Sequence, residues 1–413
     1  MKATHTEKRI VITPNKTLGI ESYDVGNDYP QRMQDIINAS GTGTLCTNML
    51  STFIYGQGFE DENVSELKVN SKRLTSNKLL SKVSKSISKF NGFAIHVNYD
   101  ANFNKTSFSY VPFQDVRFTT EENKNNPKKL AVYDDWEKQK SRKIKDEEID
   151  YFNYYNPDPK EIQKEVDLAG GWHLYKGQLM YWSIDGLEYP RCPLDSVIED
   201  VQTDYSAKIF KNNNINTNFM ASHFLKVKQF EDEEQLENLT NTISNFQGAA
   251  NSSRVTIIEL ENEDDMFELE KVDIQDMGDL YDFTESSARD NIIRASLIPH
   301  VLLVSTAGSL GQSSESVEAY ARFNGVTNFY RMEIAAVFKE LFNDSIFGKF
   351  ENFDILQSEA KTANVRDTQE GKSKILEIII NNEISNEAKI SILTELYGIS
   401  QEVAEKLTIK KDV

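Results

Sequence analysis

The chain has 413 residues, with 46 basic against 65 acidic side chains, and therefore a formal charge of −19 at pH 7. This negative charge argues against tight binding to a phosphate backbone, which requires basic side chains. The two cysteines, Cys46 and Cys192, cannot form a disulfide framework and cannot alone bind zinc. An apolar content of 39% predicts a folded protein, and the length predicts two or three subdomains.

The first part of the chain predicts helices followed by a β-hairpin. Apolar residues at helical spacing over residues 30–58 predict one or two helices, which end at Gly56 and Gly58. Over residues 92–118 the apolar residues alternate with polar ones, which predicts a hairpin with its loop near residues 102–105. His96 alternates with the apolar residues of the first strand, so we expect it to be exposed or at a sheet edge.

Residues 120–194 predict loops and short strands. The segment 120–170 is charged and interrupted by prolines, so we expect solvated loops around strands at 130–136 and 149–155. A second hairpin is predicted over residues 172–182, turning at Lys176 and Gly177.

Two long helices are predicted on either side of a small β-rich segment. The first begins near Ser196, which has capping-box spacing with Glu199, and Val201, Tyr205 and Ile209 predict its buried face. Strands are predicted at 219–230, 253–260 and 267–272, with a short helix at 235–246. We expect His223, in the first of these strands, to be exposed or at a sheet edge.

The second long helix begins near Asp282, which has capping-box spacing with Glu285, and ends at Pro299, whose ring cannot continue the hydrogen-bond ladder. A flexible loop rich in serine and glycine follows at 304–314. A long helix then runs from Ser314 to about Phe342, and Gly325 within it predicts a kink. Shorter helices are predicted at 375–380, 387–396 and 401–407.

The sequence lacks the usual patterns of metal, nucleotide and membrane-spanning sites. The five histidines are dispersed and form no zinc motif. Gly371, Lys372 and Ser373 resemble the end of a P-loop, but Arg366 stands where its first glycine should be. No window approaches the roughly 20 apolar residues of a membrane span. We therefore predict no catalytic residue, no cofactor, no metal and no membrane association.

Acidic residues crowd segment 231–282, where Arg254 and Lys271 are the only basic residues. A solvated face is the commonest meaning of such density. A soluble α+β enzyme with paired carboxylates is one alternative, although no segment supplies the apolar pocket that would raise one pKa. Another interpretation is a charged surface that repels DNA or meets a basic partner.

The order of these elements resembles the portal proteins of tailed double-stranded DNA bacteriophages over residues 30–400. The most telling stretch is 282–342, in which a helix leads to the run LIPHVLL, a serine/glycine loop and the sequence SESVE that opens the long helix. Other segments also resemble portal sequences: 54–59 (IYGQGF), 92–94 (GFA), 110–117 (YVPFQDVR) and 381–388 (NNEISNEA).

The resemblance implies an α+β, phage-portal-like architecture with an α/β wing, a two-helix stem, a small α/β clip, a long kinked helix and a helical C-terminal crown. Its parts would be the wing at 1–194, the first stem helix and exit strand at 195–223, the clip at 224–281, the second stem helix at 282–303, the tunnel loop at 304–314, the long kinked helix of the wing at 315–350 and the crown at 351–413.

The resemblance further implies a structural subunit without catalysis, which forms a homo-oligomeric, dodecameric ring at one capsid vertex of the virion. DNA would be packaged and ejected through this ring, with weak and non-specific contact. The expected partners are the terminase large subunit, the major capsid and scaffold proteins and the head-completion (adaptor) protein, with assembly in the host bacterial cytoplasm. Another ring-forming head–tail connector or adaptor is the alternative within the same class.

Two groups of residues are expected at these contacts. The tunnel loop would touch DNA through Ser305, Thr306, Gly308, Ser309, Gly311, Gln312 and Ser313. The clip would meet its protein partners through Glu231, Asp232, Glu233, Glu234, Glu261, Asp264 and Asp265.

Overall fold

The computed structural model divides the chain into two compact units. The larger unit takes in Met1–His300 and Gly325–Gln357, and the smaller one Val301–Asn324 and Ser358–Val413. The described residues are 10–136, 144–216, 223–228, 255–260, 269–271, 278–303, 312–359, 375–376, 378–379, 385–395 and 401–408.

Helices and strands are interleaved along the chain, and the α+β prediction is confirmed. The described helices are α1 (Tyr29–Ala39), α2 (Gly41–Tyr55), α3 (Glu62–Ser65), α4 (Ser76–Phe90), α5 (Pro159–Ala169), α6 (Ile198–Asn216), α7 (Gly278–Ala295), α8 (Gln312–Phe342), α9 (Asn386–Glu395) and α10 (Gln401–Thr408). The described strands are β1 (Ile12–Asn15), β2 (Ile20–Tyr23), β3 (Gly58–Phe59), β4 (Gly92–Tyr99), β5 (Lys105–Val111), β6 (Val116–Phe118), β7 (Leu130–Val132), β8 (Asp150–Tyr154), β9 (Gln178–Ser183), β10 (His223–Lys228), β11 (Val255–Leu260), β12 (Leu269–Lys271) and β13 (Ile355–Leu356).

The largest sheet has six strands in the order β5-β4-β9-β8-β7-β6. All neighbours are antiparallel except β8 and β9, which run parallel. The hairpin predicted over 92–118 is confirmed, because β4 pairs with β5 and the Asp100 amide donates to the Asn104 carbonyl across the turn. Phe93, Ala94 and Ile95 are all buried, so β4 is covered on both faces.

Helix α4 packs against β4 with an amphipathic face. At its start the Thr75 side chain accepts a hydrogen bond from the Lys78 amide, and at its end Asn91 takes the left-handed conformation. Lysines occupy much of its exposed face. The buried face consists of Leu79, Leu80, Val83 and Ile87.

The C-terminal end of α8 is tied to the start of β5 by a buried lysine. Lys105 donates from Nζ to the carbonyls of Glu340, at 2.9 Å, and Asn343, at 2.7 Å. The Glu340 carbonyl belongs to the last turn of α8 and Asn343 directly follows the helix, where a cation is favoured by the partial negative charge of the helix end. Phe108 of β5 and Phe342 of α8 pack beside this contact, with ring centroids 5.1 Å apart.

A fully buried arginine joins β6 to the turn before α1. Arg117 donates to the Asn27 side chain at 2.6 Å and to the Asn27 carbonyl at 2.8 Å, and also to the carbonyls of Gln114 and Val116. The Tyr23 ring lies 5.5 Å from its guanidinium carbon. Several neutral acceptors and a ring thus stabilise the buried charge.

Two predictions for residues 120–182 are wrong. The segment predicted as solvated loop contains α5, which Asp158 caps, Pro159 begins and the left-handed Gly170 ends. The hairpin predicted over 172–182 does not form, because residues 172–177 are turn and irregular structure and only β9 is a strand. That strand pairs with β4 and β8 instead of with its own neighbouring segment. The predicted strands at 130–136 and 149–155 are confirmed as β7 and β8.

Two histidines were predicted to be exposed or at a sheet edge, and neither lies on an edge strand. The prediction is therefore wrong for His96, which is partly buried, and the exposure of His223 stays a prediction. His96 lies on β4 between β5 and β9, with its Nε2 2.6 Å from the Lys176 carbonyl and its ring 4.8 Å from the Phe152 ring. Burial lowers the pKa of His96 despite that hydrogen bond. His223 lies on β10, the central strand of a three-stranded sheet.

The smaller unit contains the first part of α8 together with α9 and α10. Ala319 and Phe323 are buried on α8, and the Asn324 side chain donates to the Ser358 carbonyl at 2.6 Å. Leu393 of α9 and Ala404 of α10 are also buried. The boundary between the units falls within α8 at Gly325. The long helix is confirmed, and a kink at Gly325 stays a prediction.

Candidate assembly surfaces

Helices α6 and α7 form an antiparallel pair, which we call the helical arm. Near one end the Asn291 side chain donates to Asp200 at 3.1 Å. Near the other end Lys211 contacts Asp282, at 2.7 Å, and Glu285. Residue numbers thus rise along α6 as they fall along α7. The 19 residues of α6 give the arm a length of about 28 Å.

The arm is anchored to α2 by one buried carboxylate. Asp204 of α6 accepts hydrogen bonds from the Ser40 hydroxyl at 2.5 Å and from the Thr42 amide at 3.2 Å. Lys208, one turn further along, lies 3.0 Å from the same carboxylate. Burial would raise the pKa of Asp204, but the hydrogen bonds from Ser40, Lys208 and Thr42 lower it overall.

Apolar side chains complete the anchored half of the arm. Val201 of α6 is fully buried, and Ile292 and Ile293 of α7 are buried as well. Helices α1 and α2 contact α6, and α2 also contacts α7. This half of the arm is therefore part of the core of the larger unit.

Beyond Asp204 the arm has no buried side chain among its described residues. None of residues 205–212 of α6 is buried, and neither is any of residues 282–287 of α7. Large apolar side chains nevertheless occur there. Their exposed fractions are 43% for Tyr205, 41% for Ile209, 38% for Phe210 and 70% for Phe283. The predicted buried face of α6 is confirmed at Val201 and is wrong at Tyr205 and Ile209.

The capping predictions for the two arm helices are wrong. A single 3-10 turn, Asp195–Val197, precedes α6, and no side chain caps it. Helix α7 begins at Gly278, one turn before Asp282. Asp282 and Glu285 therefore lie inside the helix on one face, where they contact Lys211 instead of the backbone.

Three strands lie in the chain between the two arm helices. Strand β10 is central in the order β11-β10-β12, parallel to β11 and antiparallel to β12. The strands predicted at 219–230, 253–260 and 267–272 are confirmed as β10, β11 and β12, each over a shorter range. The helix predicted at 235–246 lies outside the described residues.

Most of the predicted contact residues lie outside the described residues. This holds for Ser305, Thr306, Gly308, Ser309 and Gly311 of the tunnel loop, and for all seven clip acids, Glu231, Asp232, Glu233, Glu234, Glu261, Asp264 and Asp265. Gln312 and Ser313 are the first two residues of α8. The backbone at these two positions is therefore helical, although a loop was predicted.

No protein-family model matches the sequence, and no curated protein matches it. Solved structures of phage-like particles do match.

The chain is similar to phage portal and particle-neck structures. One is the virion of a native gene transfer agent particle, with a TM-score of 0.46, 11% identity, and coverage of 90% of this chain and 94% of that chain. A second is the neck of that particle computed with C12 symmetry, with a TM-score of 0.42, 10% identity, and coverage of 88% and 93%. A third is an HK97-family phage portal protein from Corynebacterium diphtheriae, with a TM-score of 0.36, 11% identity, and coverage of 71% and 82%.

The third of these structures is named as a phage portal protein, the family that the sequence resembles.

Within the described residues, metal-binding clusters and membrane-spanning helices are both absent. No group of three or more His, Cys, Asp or Glu side chains among them could hold a metal ion. Among the same residues, no helix combines the length and apolar character needed to cross a membrane. Cys46 and Cys192 are both buried free thiols, and burial raises the pKa of each.

Proposed function

We propose that this chain is a phage portal subunit, which assembles with copies of itself into a ring at one capsid vertex of the virion. The observation that carries the proposal is the helical arm, whose outer half exposes Phe283, Tyr205, Ile209 and Phe210. Clustered exposed apolar side chains indicate a surface that another protein covers. A neighbouring copy of the same arm offers the same kind of surface, as ring assembly requires.

The order of elements around the arm supports this proposal. The arm brackets a small sheet and the acid-rich segment 231–282, as the stem brackets the clip in the sequence resemblance. We propose that this segment docks the terminase large subunit during packaging and the head-completion protein afterwards. Its acids Glu231 to Glu234, with Glu261, Asp264 and Asp265, would meet basic surfaces on those partners.

The net charge supports a role in passage of DNA. A channel wall with few cations releases few counterions when DNA enters it, so the duplex is not held tightly. The charge of −19 suits such a wall. We propose that the tunnel loop makes only transient polar contacts with the DNA, through Ser305, Ser309, Gln312 and Ser313.

Negative-stain imaging of the purified full chain, combined with sedimentation velocity, tests the ring. We expect closed rings with a central hole wider than a DNA duplex, of twelve subunits as in the resemblance. A species that stays at the monomer mass of 47.2 kDa at every concentration tested would contradict the proposal. Rings that support no DNA packaging would instead favour the alternative, a head–tail connector.

A further inference from the structure

A groove in the larger unit lies between the end of strand β9 and helix α8. Its volume is about 510 Å³, and aromatic and apolar side chains from both elements line it. Phe329 of α8 and Leu187, just after β9, are about half exposed, at 50% and 49%. Trp182 of β9 stacks on Phe93 with ring centroids 5.2 Å apart, which fixes one wall of the groove.

Acidic side chains stand around this aromatic lining. Asp185, Glu188 and Glu333 all line the groove. Glu333 is 3.4 Å from the Trp182 indole nitrogen, which is a long contact for a carboxylate. Within the part of the chain that the structure describes, no lysine or arginine forms an ion pair with any of these three carboxylates.

The negative charge beside the groove is concentrated further by Glu21. Burial and the adjacent Glu188 carboxylate raise the pKa of Glu21. A cation near this pair would relieve the repulsion between the two carboxylates. The arrangement repels phosphate groups, so DNA is not a suitable occupant.

The lining contains rings of the kind that bind cations. Tyr154, Trp182 and Phe329 present aromatic surface to the groove, and the faces of such rings attract ammonium and guanidinium groups. Tyr155 also lines the groove. A ligand in the groove would therefore meet aromatic rings and carboxylates together.

We propose that this groove binds an arginine side chain that a partner protein presents on an apolar segment. Guanidinium is planar and weakly hydrated, so it stacks on aromatic rings while it donates to carboxylates. The flanking apolar residues would cover Leu187 and Phe329, which the single chain leaves half exposed. The proposal does not depend on ring formation, because every residue named belongs to one chain.

Isothermal titration calorimetry of the full chain with the blocked tripeptide Leu-Arg-Leu tests this proposal. Three comparison peptides carry lysine, citrulline or glutamate in the central position. We expect the arginine peptide to bind about tenfold more tightly than the citrulline peptide, because citrulline keeps the shape and loses the charge. The lysine peptide should fall between them, and the glutamate peptide should not bind.

Two groove variants, Phe329→Ala and Glu333→Gln, should each weaken binding of the arginine peptide several-fold. Met332→Ala is the matched control for the first, because Met332 is 64% exposed on the same helix and does not line the groove. Asp35→Asn, an exposed carboxylate on α1, is the control for the second. Equal binding of the arginine and citrulline peptides, absence of binding by all four, or equal losses in groove and control variants would each overturn the proposal. None of these outcomes tests ring assembly, which negative-stain imaging measures separately.

Discussion

At the scale of single residues, three of the buried charged groups described in the larger unit illustrate how distant elements are connected. Arg117 binds carbonyl and amide oxygens, Lys105 binds the last carbonyls of α8, and Asp204 accepts from a hydroxyl and an amide at the start of α2. Each charge has hydrogen-bond partners, which is the condition for burial at tolerable cost. Each therefore specifies how two elements pack.

Replacement of Asp204 tests how the arm is anchored. Asp204→Asn removes the charge that the Ser40 hydroxyl, the Thr42 amide and Lys208 stabilise, so we expect a loss of about 1–3 kcal/mol in the free energy of unfolding at pH 7. Urea denaturation measures this loss. Asp35→Asn, which changes an exposed carboxylate of α1, should leave the unfolding free energy nearly unchanged.

The stability loss caused by Asp204→Asn should depend on pH. The folded-state pKa of Asp204 is lowered, so its contribution to stability is complete above the unfolded value of about 3.9 and declines as the pH falls through the folded value. The difference in unfolding free energy between the native chain and Asp204→Asn should therefore become smaller below about pH 4. A difference in unfolding free energy that stays constant from pH 7 to pH 3 would contradict the role of the Asp204 charge in anchoring the arm.

At the scale of elements, the helical arm has two unlike halves. The half near Val201 and Ile292 is buried against α1 and α2, whereas the half near Phe283 and Ile209 is not. A helix pair of this kind stabilises the body through one half and leaves the other for a different protein surface. Side chains in the outer half should therefore influence assembly more than folding.

The double variant Ile209→Ser and Phe283→Ser tests that division. Both side chains are exposed in the single chain, so we expect the urea midpoint to change little and the fraction of ring in sedimentation velocity to fall sharply. Leu168→Ser is the matched control, because Leu168 is an apolar residue of α5 that is 89% exposed. Equal ring fractions in the native chain and the double variant would show that the arm is not the contact.

At the scale of the whole molecule, the acidic composition and the small polar loop both suit the proposed function, a channel through which DNA slides. The chain carries 65 acidic side chains, so any binding of DNA phosphates by basic side chains must be local. The serine and glycine residues of 304–314 can donate single hydrogen bonds without adding charge. Retention of packaged DNA would then depend on many weak contacts around the ring.

Deletion of residues 305–312 tests the loop within the particle. We expect rings to assemble normally, because the deletion lies outside the arm, and we expect packaging or retention of DNA to fall. Nuclease-protected DNA per particle measures this effect. A glycine/serine octapeptide in place of 305–312 separates the length of the loop from its side chains, and normal DNA content in the deletion would remove the tunnel-loop role.

Local patterns determined much of the fold. Helical spacing and the proline at 299 located α6, α7 and α8, and alternation located β4, β5 and the three strands inside the arm. These patterns depend on residues that are only a few positions apart, so they can be recognised in the sequence alone. The capping predictions at Ser196 and Asp282 were wrong by comparison, because a cap depends on where the chain enters the helix.

Tertiary structure decided which residues of these elements meet. Strand β9 pairs with β4 and runs parallel to β8, a choice that depends on strands far away along the chain and not on Lys176 and Gly177 beside it. Helix α4, with strong amphipathic spacing, was not among the predicted elements. The groove was missed as well, since Trp182 and Glu333 are 151 positions apart.

The sequence by itself determined the acidic charge, the helical rods and the strand-forming segments, because charge and periodicity are properties of a chain read in order. Only the tertiary structure decided that Asp204 anchors the arm, that Tyr205 and Ile209 stay exposed, and that aromatic rings and carboxylates converge beside α8. Burial depends on which surfaces pack together in space, and side chains that are distant in sequence share in that packing.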